Sequence, residues 1–167
     1  MLDIMTPMKK MSILLIAVAI LISALAYSEE KTDRQWYSAF GMKSSKWDEF
    51  VEGGLDSFDA GSLSTAYLML SKAYEQGCRD PIVMFKLGLK EEMNANYATA
   101  SQLLGASADS FNKYYQKHPE AKRIAAHAAR AYFMASNYPM AKKYGERALA
   151  VNDKDVDVLM IVAQAQG

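Results

Sequence analysis

Two histidines, one cysteine and a Ser-x-x-Lys tetrad are the residues with which this chain could do chemistry. A metal site gathers three or four ligands, and one helix supplies two most readily as a His-x-x-x-His pair. His118 and His127 lack that spacing; the first precedes Pro119 in a turn and the second lies two places before the small Ala129. A nucleophilic Cys78 would need a base and a third group to orient that base, and no signal supplies either. As a lone cysteine, Cys78 can form no internal disulfide and reads as a small residue in an inter-helix turn. Ser110-Phe111-Asn112-Lys113 has the spacing of a serine nucleophile and its lysine, but the companion motifs are missing. Glycine-rich phosphate loops are missing too. The carboxylates, among them Glu91, Glu92 and Glu146, are scattered over polar helix faces. The sequence therefore predicts no catalysis, no metal and no cofactor, and a protein that works by binding.

The bulk properties agree. A chain of 167 residues suits one modest domain. Charges balance at 19 of each sign, so no field points to nucleic acid or to an anionic surface. Lys9 and Lys10 precede an apolar run from Met11 to Ala26, and Ala24-Leu25-Ala26 closes it with the small-x-small pattern of a cleavage site. The run is shorter than the roughly 20 residues of a spanning helix, so residues 1–26 read as a signal peptide cut after Ala26. The expected destination is periplasmic or secreted, by bacterial-type export. The alternative is an uncleaved anchor in the inner membrane, facing the periplasm, and only then would the chain engage a membrane. Asp3 is unusual in a leader and Met8 is the better start; no cysteine near Ala26 offers a lipid anchor.

Residues 27–45 read as a linker with a short aromatic helix, capped by Asp33, carrying Trp36, Tyr37 and Phe40, and ended by Gly41. From residue 46 to 167 the apolar period is helical throughout. Trp47, Phe50, Val51, Leu55 and Phe58 mark one helix, and Leu63 to Gln76 the next. Pro81, Pro119 and Pro139 sit where proline suits a helix start. Helices are expected at Ile82 to Met93, Tyr97 to about Lys117, Pro119-Glu120 to Ala135, Pro139 to Val151 and Asp155 to about Gln166. No strand pattern of useful length occurs, so the fold class is all-α.

The helices repeat. Gly54, Leu63 and Ala66 recur 34 residues later as Gly88, Tyr97 and Ala100, and 41 later again as Ala129, Tyr138 and Ala141. Small residues at these places let two antiparallel helices cross closely, and a further small residue (Ala73, Ser107, Ala148) is expected to let the second helix meet the next unit. The pattern resembles the tetratricopeptide repeat, whose period is 34 residues. Tyr138 to Leu149 is the best single stretch; the tryptophan-like place of the first helix instead holds Phe50, Met84 and Ala125. The resemblance implies a right-handed superhelical stack of antiparallel hairpins, about three repeats plus a terminal helix. The seven extra residues lie between Ala100 and Ala129, close to two helical turns. They are expected to extend the fourth helix through Phe111, Tyr114 and Tyr115. With Trp36, these rings are either covered by the N-terminal segment or form a secondary contact surface.

In repeats of this kind the first helix of each pair lines a concave groove. Here that face would carry Val51, Leu55 and Phe58, then Phe85, Leu89 and Met93, then Arg123, Arg130, Phe133 and Met134. Such a face suits the apolar side of a helix or an extended segment, with arginine for a carboxylate. Several of these residues would equally serve as core. The clamp that some members use for chaperone C-termini needs Lys and Asn where Val51, Leu55 and Leu89 stand, so that specialised role is not expected. The expected partner is another envelope protein or a peptide segment of one, bound by a scaffold or adaptor in envelope assembly. A membrane-tethered structural subunit is the alternative. The terminal helix is apolar on its outer side at Val156, Leu159, Met160 and Ala163, which predicts self-association or a partner contact there.

Overall fold

Proline and a capping acceptor start the best-defined helices. Asp80 accepts the Ile82 N–H at 2.9 Å in front of Pro81, and His118 Nδ1 accepts the Glu120 N–H at 3.1 Å in front of Pro119. Each cap satisfies one of the orphan donors of a first helical turn. The computed structural model describes residues 31–151 and 154–166. The leader expected at 1–26 lies outside the described residues. None of the described helices is long and apolar enough to cross a membrane.

Eight helices are described: α1 Asp33–Phe40, α2 Asp48–Asp59, α3 Leu63–Glu75, α4 Pro81–Met93, α5 Tyr97–Tyr115, α6 Pro119–Met134, α7 Tyr138–Val151 and α8 Val156–Gln164. Helices α2 and α3, α4 and α5, and α6 and α7 pack as three hairpins, followed by α8 against α6 and α7. The chain is an all-α helical-repeat stack.

The three hairpin turns share one device. Gly61, Ala95 and Ser136 occupy the same repeat position, and all three are left-handed, at φ +75, +58 and +60°. The next N–H then reaches five residues back: Ser62 to the Ser57 carbonyl, Asn96 to Glu91 and Asn137 to Tyr132. This is a Schellman close, which satisfies the last carbonyls of each first helix.

At the crossings, glycine makes room for leucine. A Cβ on Gly54 would stand 2.7 Å from Leu70 Cδ2, and one on Gly88 would stand 2.7 Å from Leu104 Cγ. The third hairpin puts Ala129 near Gly145, and Gly145 in turn receives Val162 of α8. Ser107, buried on α5, donates to the Pro81 carbonyl at 2.7 Å and so ties the second helix of its unit back to the first.

The seven extra residues do lengthen α5 through Tyr115, making it 19 residues against 13 for α3. They also lengthen the start of α6, where Ala129 lies ten residues into the helix while Gly88 lies seven into α4.

Candidate partner-binding groove

The inner face of the first two hairpins already holds a helix. Helix α1 packs on α2 and α4, with Trp36 and Tyr37 buried. Arg34 pairs with Asp56 on α2, and Asp33 with Lys86 on α4 at 2.5 Å. Tyr37 donates its hydroxyl to Asp48 Oδ1 at 2.5 Å; burial is the main cause that raises the phenol pKa, and the hydrogen bond lowers that of Asp48. Trp36 lies edge-on to Phe111, Tyr115 and His118 at centroid distances of 5.0, 4.8 and 4.9 Å. Phe40 adds edge contacts to Phe111 at 4.8 Å and Tyr115 at 5.5 Å. Of the two fates open to the aromatic overhang, the fold selects coverage by the N-terminal segment. Phe111 is buried, Tyr115 is half-buried, and Tyr114 alone of the set is largely exposed.

The residues read from sequence as groove divide into two groups. Val51, Leu55 and Phe85 are closed off in the core, at 0–2% exposure, because α1 and the hairpin partners cover both sides of their helices. They cannot touch a partner in this arrangement. Phe58 and Leu89 are half-buried; Phe58 stacks edge-on with Tyr67 at 5.0 Å and lies under the Lys86 ammonium. Met93, Arg123, Arg130 and Met134 are exposed, and half-buried Phe133 leans on Tyr138 at 5.5 Å. The open face is therefore that of α6 with the end of α4.

On α6 a depression of about 310 Å³ is lined by Pro119, Lys122, Arg123, Ala126, His127, Arg130 and Asp155. The six α6 residues follow the i, i+3, i+4, i+7 rule of one helix face. Lys122 and His127 belong to that stripe, and the sequence reading missed them. Tracing the stripe one residue to either side of Arg123 and Ala126 would have found both.

The stripe has two electrostatic layers. Glu120 and Glu92 lie underneath, with side chains 9% and 13% exposed, while Arg123 and Arg130 above them are about half exposed. Glu120 takes Arg123 through both oxygens. Glu92 takes His127 Nδ1 at 2.9 Å and lies 3.6 Å from Arg130. Arg123 also stacks over Phe85 at 4.9 Å. At the edge, Lys122 pairs with Asp155 at 3.4 Å. Glu120 fixes the plane of the Arg123 guanidinium by two hydrogen bonds, whereas Arg130 meets Glu92 as an ion pair without a hydrogen bond. The outer surface is thus cationic although the charges nearly balance through the full depth.

Cys78 is buried, and desolvation pushes its thiol up to about 11, so it carries no thiolate. Among the described residues no group of three or more His, Cys, Asp or Glu side chains could hold a metal ion.

No family model matches the chain, and no curated protein matches it. Among solved structures it is similar to the N-terminal domain of stress-induced protein-1 (STI-1) from C. elegans. The TM-score is 0.53 over 75% of this chain and 100% of that one, at 12% identity. That likeness carries the fold: a tetratricopeptide-like, all-helical repeat.

Proposed function

We propose that this chain is an exported protein-binding scaffold that holds a segment of another cell-envelope protein in the open third of its groove, in the assembly or stabilisation of an envelope complex. The observation that carries the reading is the division of the inner face. Helix α1 fills the first two units, while the α6 face keeps two half-exposed arginines beside exposed Met93 and Met134. That pairing suits a segment combining carboxylates with apolar side chains. The scaffold binds without turnover.

Export rests on the sequence of the leader, with its basic flank, short apolar run and Ala24-Leu25-Ala26. The second reading, a membrane-tethered structural subunit, rests on the same apolar run retained as an anchor. The mass of the N-terminus in the envelope fraction separates them: a start at Tyr27 supports the free scaffold, and retention of Met11 to Ala26 supports the tether.

The groove is tested by crosslinking capture in the native envelope. Arg130→Glu reverses charge at an exposed position, so the stack should keep its circular dichroism while losing its specific crosslinked partner. Capture at wild-type level by a folded Arg130→Glu variant would remove the α6 face from the reading.

A further inference from the structure

Helix α1 sits on the inner face as a bound helix would. Of its eight residues only Trp36 and Tyr37 are buried, while Arg34, Gln35, Ser38 and Ala39 are exposed. It runs antiparallel to α2, since Arg34 reaches Asp56 late in α2 and Tyr37 reaches Asp48 at its start. A third polar link, Asp33 to Lys86, crosses to α4. Trp36 and Phe40 end against Phe111. The seat of α1 thus offers an ammonium, two carboxylates and a wall of rings, which is enough to fix both the direction and the register of a helix.

That seat keeps its polar groups in place without α1. Asp48 accepts the Ser44 N–H at 2.9 Å as well as the Tyr37 hydroxyl, and Trp47 Nε1 donates to the Met42 carbonyl at 3.0 Å. The start of α2 is therefore held by residues 42–48 themselves. Between them and α1 stands Gly41, left-handed at φ +64°, with nothing within 4 Å of where a Cβ would be. Helix α1 can swing out on Gly41 without unwinding α2. An element with two buried side chains and an open flank belongs to the low-stability end of a fold. The core that α1 joins, with Val51, Leu55 and Phe85, then presents an apolar floor between Asp56 and Lys86.

We propose that the seat of α1 is a second helix-binding site, closed by α1 and opened when a helix of another protein takes its place. The contacts of α1 define what that helix carries: an acid for Lys86, a base beside it for Asp56, a hydroxyl one turn on for Asp48, and rings for Phe111. In α1 these are Asp33, Arg34, Tyr37, and Trp36 with Phe40, so the pattern is acid-base followed by rings three, four and seven places after the acid. Competition with α1 lowers the apparent affinity by the fraction of chains that are open, which makes α1 an autoinhibitory element. The inference rests on the reading of the inner face as a groove and extends it from α6 to the first two units.

The probe is a labelled peptide with the sequence of residues 31–42, added to the full chain and followed by fluorescence anisotropy. It should bind saturably below about 300 µM. Arg34→Glu in the chain sets a carboxylate against Asp56, loosens α1, and should tighten peptide binding about fivefold. An Arg34→Glu peptide should bind the wild-type chain more weakly than the wild-type peptide, and Asp56→Arg in the chain should reverse that order. Bound peptide should strip residues 33–40 of the chain of their protection from hydrogen exchange while the hairpins keep theirs. Arg130→Glu should leave all of this unchanged, so failure of the α6 face and failure of this site are separate outcomes. No saturable binding to either the wild-type or the Arg34→Glu chain overturns the proposal. So does binding whose preference survives Asp56→Arg, binding that leaves residues 33–40 protected, or a dimer that exchanges α1 between two copies before peptide is added.

Discussion

The indole of Trp36 meets the ring of Phe111 edge-on, 5.0 Å between centroids, and joins the first described helix to the end of α5. Both rings are buried, and α1 has Trp36 and Tyr37 as its only buried side chains. Trp36→Ala should therefore release α1 from the inner face, at a cost of about 3 kcal/mol. Hydrogen exchange should show residues 33–40 losing protection while the hairpins keep theirs. Unchanged protection in α1 would mean that the ion pairs, rather than the aromatic cluster, hold it.

The hairpin turns offer a stabilising change. Ala95 and Ser136 are left-handed without being glycine, while the matching place in the first unit is Gly61. The left-handed region costs a residue with a Cβ about 1 kcal/mol. Ala95→Gly and Ser136→Gly should each raise the melting temperature by several degrees, and Gly61→Ala should lower it. The opposite signs would show that the turns relax on substitution.

Two helical glycines should respond in opposite ways. A Cβ at Gly88 would press on Leu104 Cγ and on the Cβ of Leu103, both held in a packed crossing. Gly88→Ala should cost about 1–3 kcal/mol despite the better helix propensity of alanine. A Cβ at Gly53 meets only the flexible end of half-buried Met69, which can turn aside. Gly53→Ala should be neutral, or stabilising by up to about 1 kcal/mol. Urea unfolding of the pair reads the difference, and equal effects would remove close approach as the reason for Gly88.

Asp80 should make stability depend on pH. Burial raises its carboxyl from the ordinary 3.8 to about 7, against the lowering pull of the Ile82 and Val83 N–H groups. Its Oδ2 is buried with no hydrogen-bond partner in the protein. A folded pKa above the unfolded one gives a contribution that is complete below the ordinary carboxyl range and is lost as pH rises through about 7. Asp80→Asn keeps the capping acceptor and removes the titration. Its stability relative to wild type should therefore improve steadily from pH 4 to pH 8. A constant difference across that window would mean that Asp80 stays ionised in the fold.

Much of the architecture was legible in the chain because it is set by neighbours. Asp80-Pro81 and His118-Pro119 mark helix starts through their own caps and fixed φ. The recurrence of Gly54, Gly88 and Ala129 marks crossings, because only small residues let two helices approach. The turns were legible as breaks in the apolar period. Their left-handed geometry was not, since alanine and serine stand at two of the three positions.

Helix and hairpin identity were thus determined by the sequence alone, because period, caps and small-residue spacing act within about one repeat. Which apolar residues became core and which stayed open was decided only by tertiary structure. Val51 and Met93 read alike along their helices, yet one is fully covered and the other is 76% exposed. The difference arises because α1 lies over the first units and leaves the α6 end free, a choice made by contacts between Trp36 and rings some 75 residues away. The carboxylate layer beneath Arg123 and Arg130 has the same origin. Glu92 becomes a partner of His127 and Arg130 only when α4 and α6 are brought side by side.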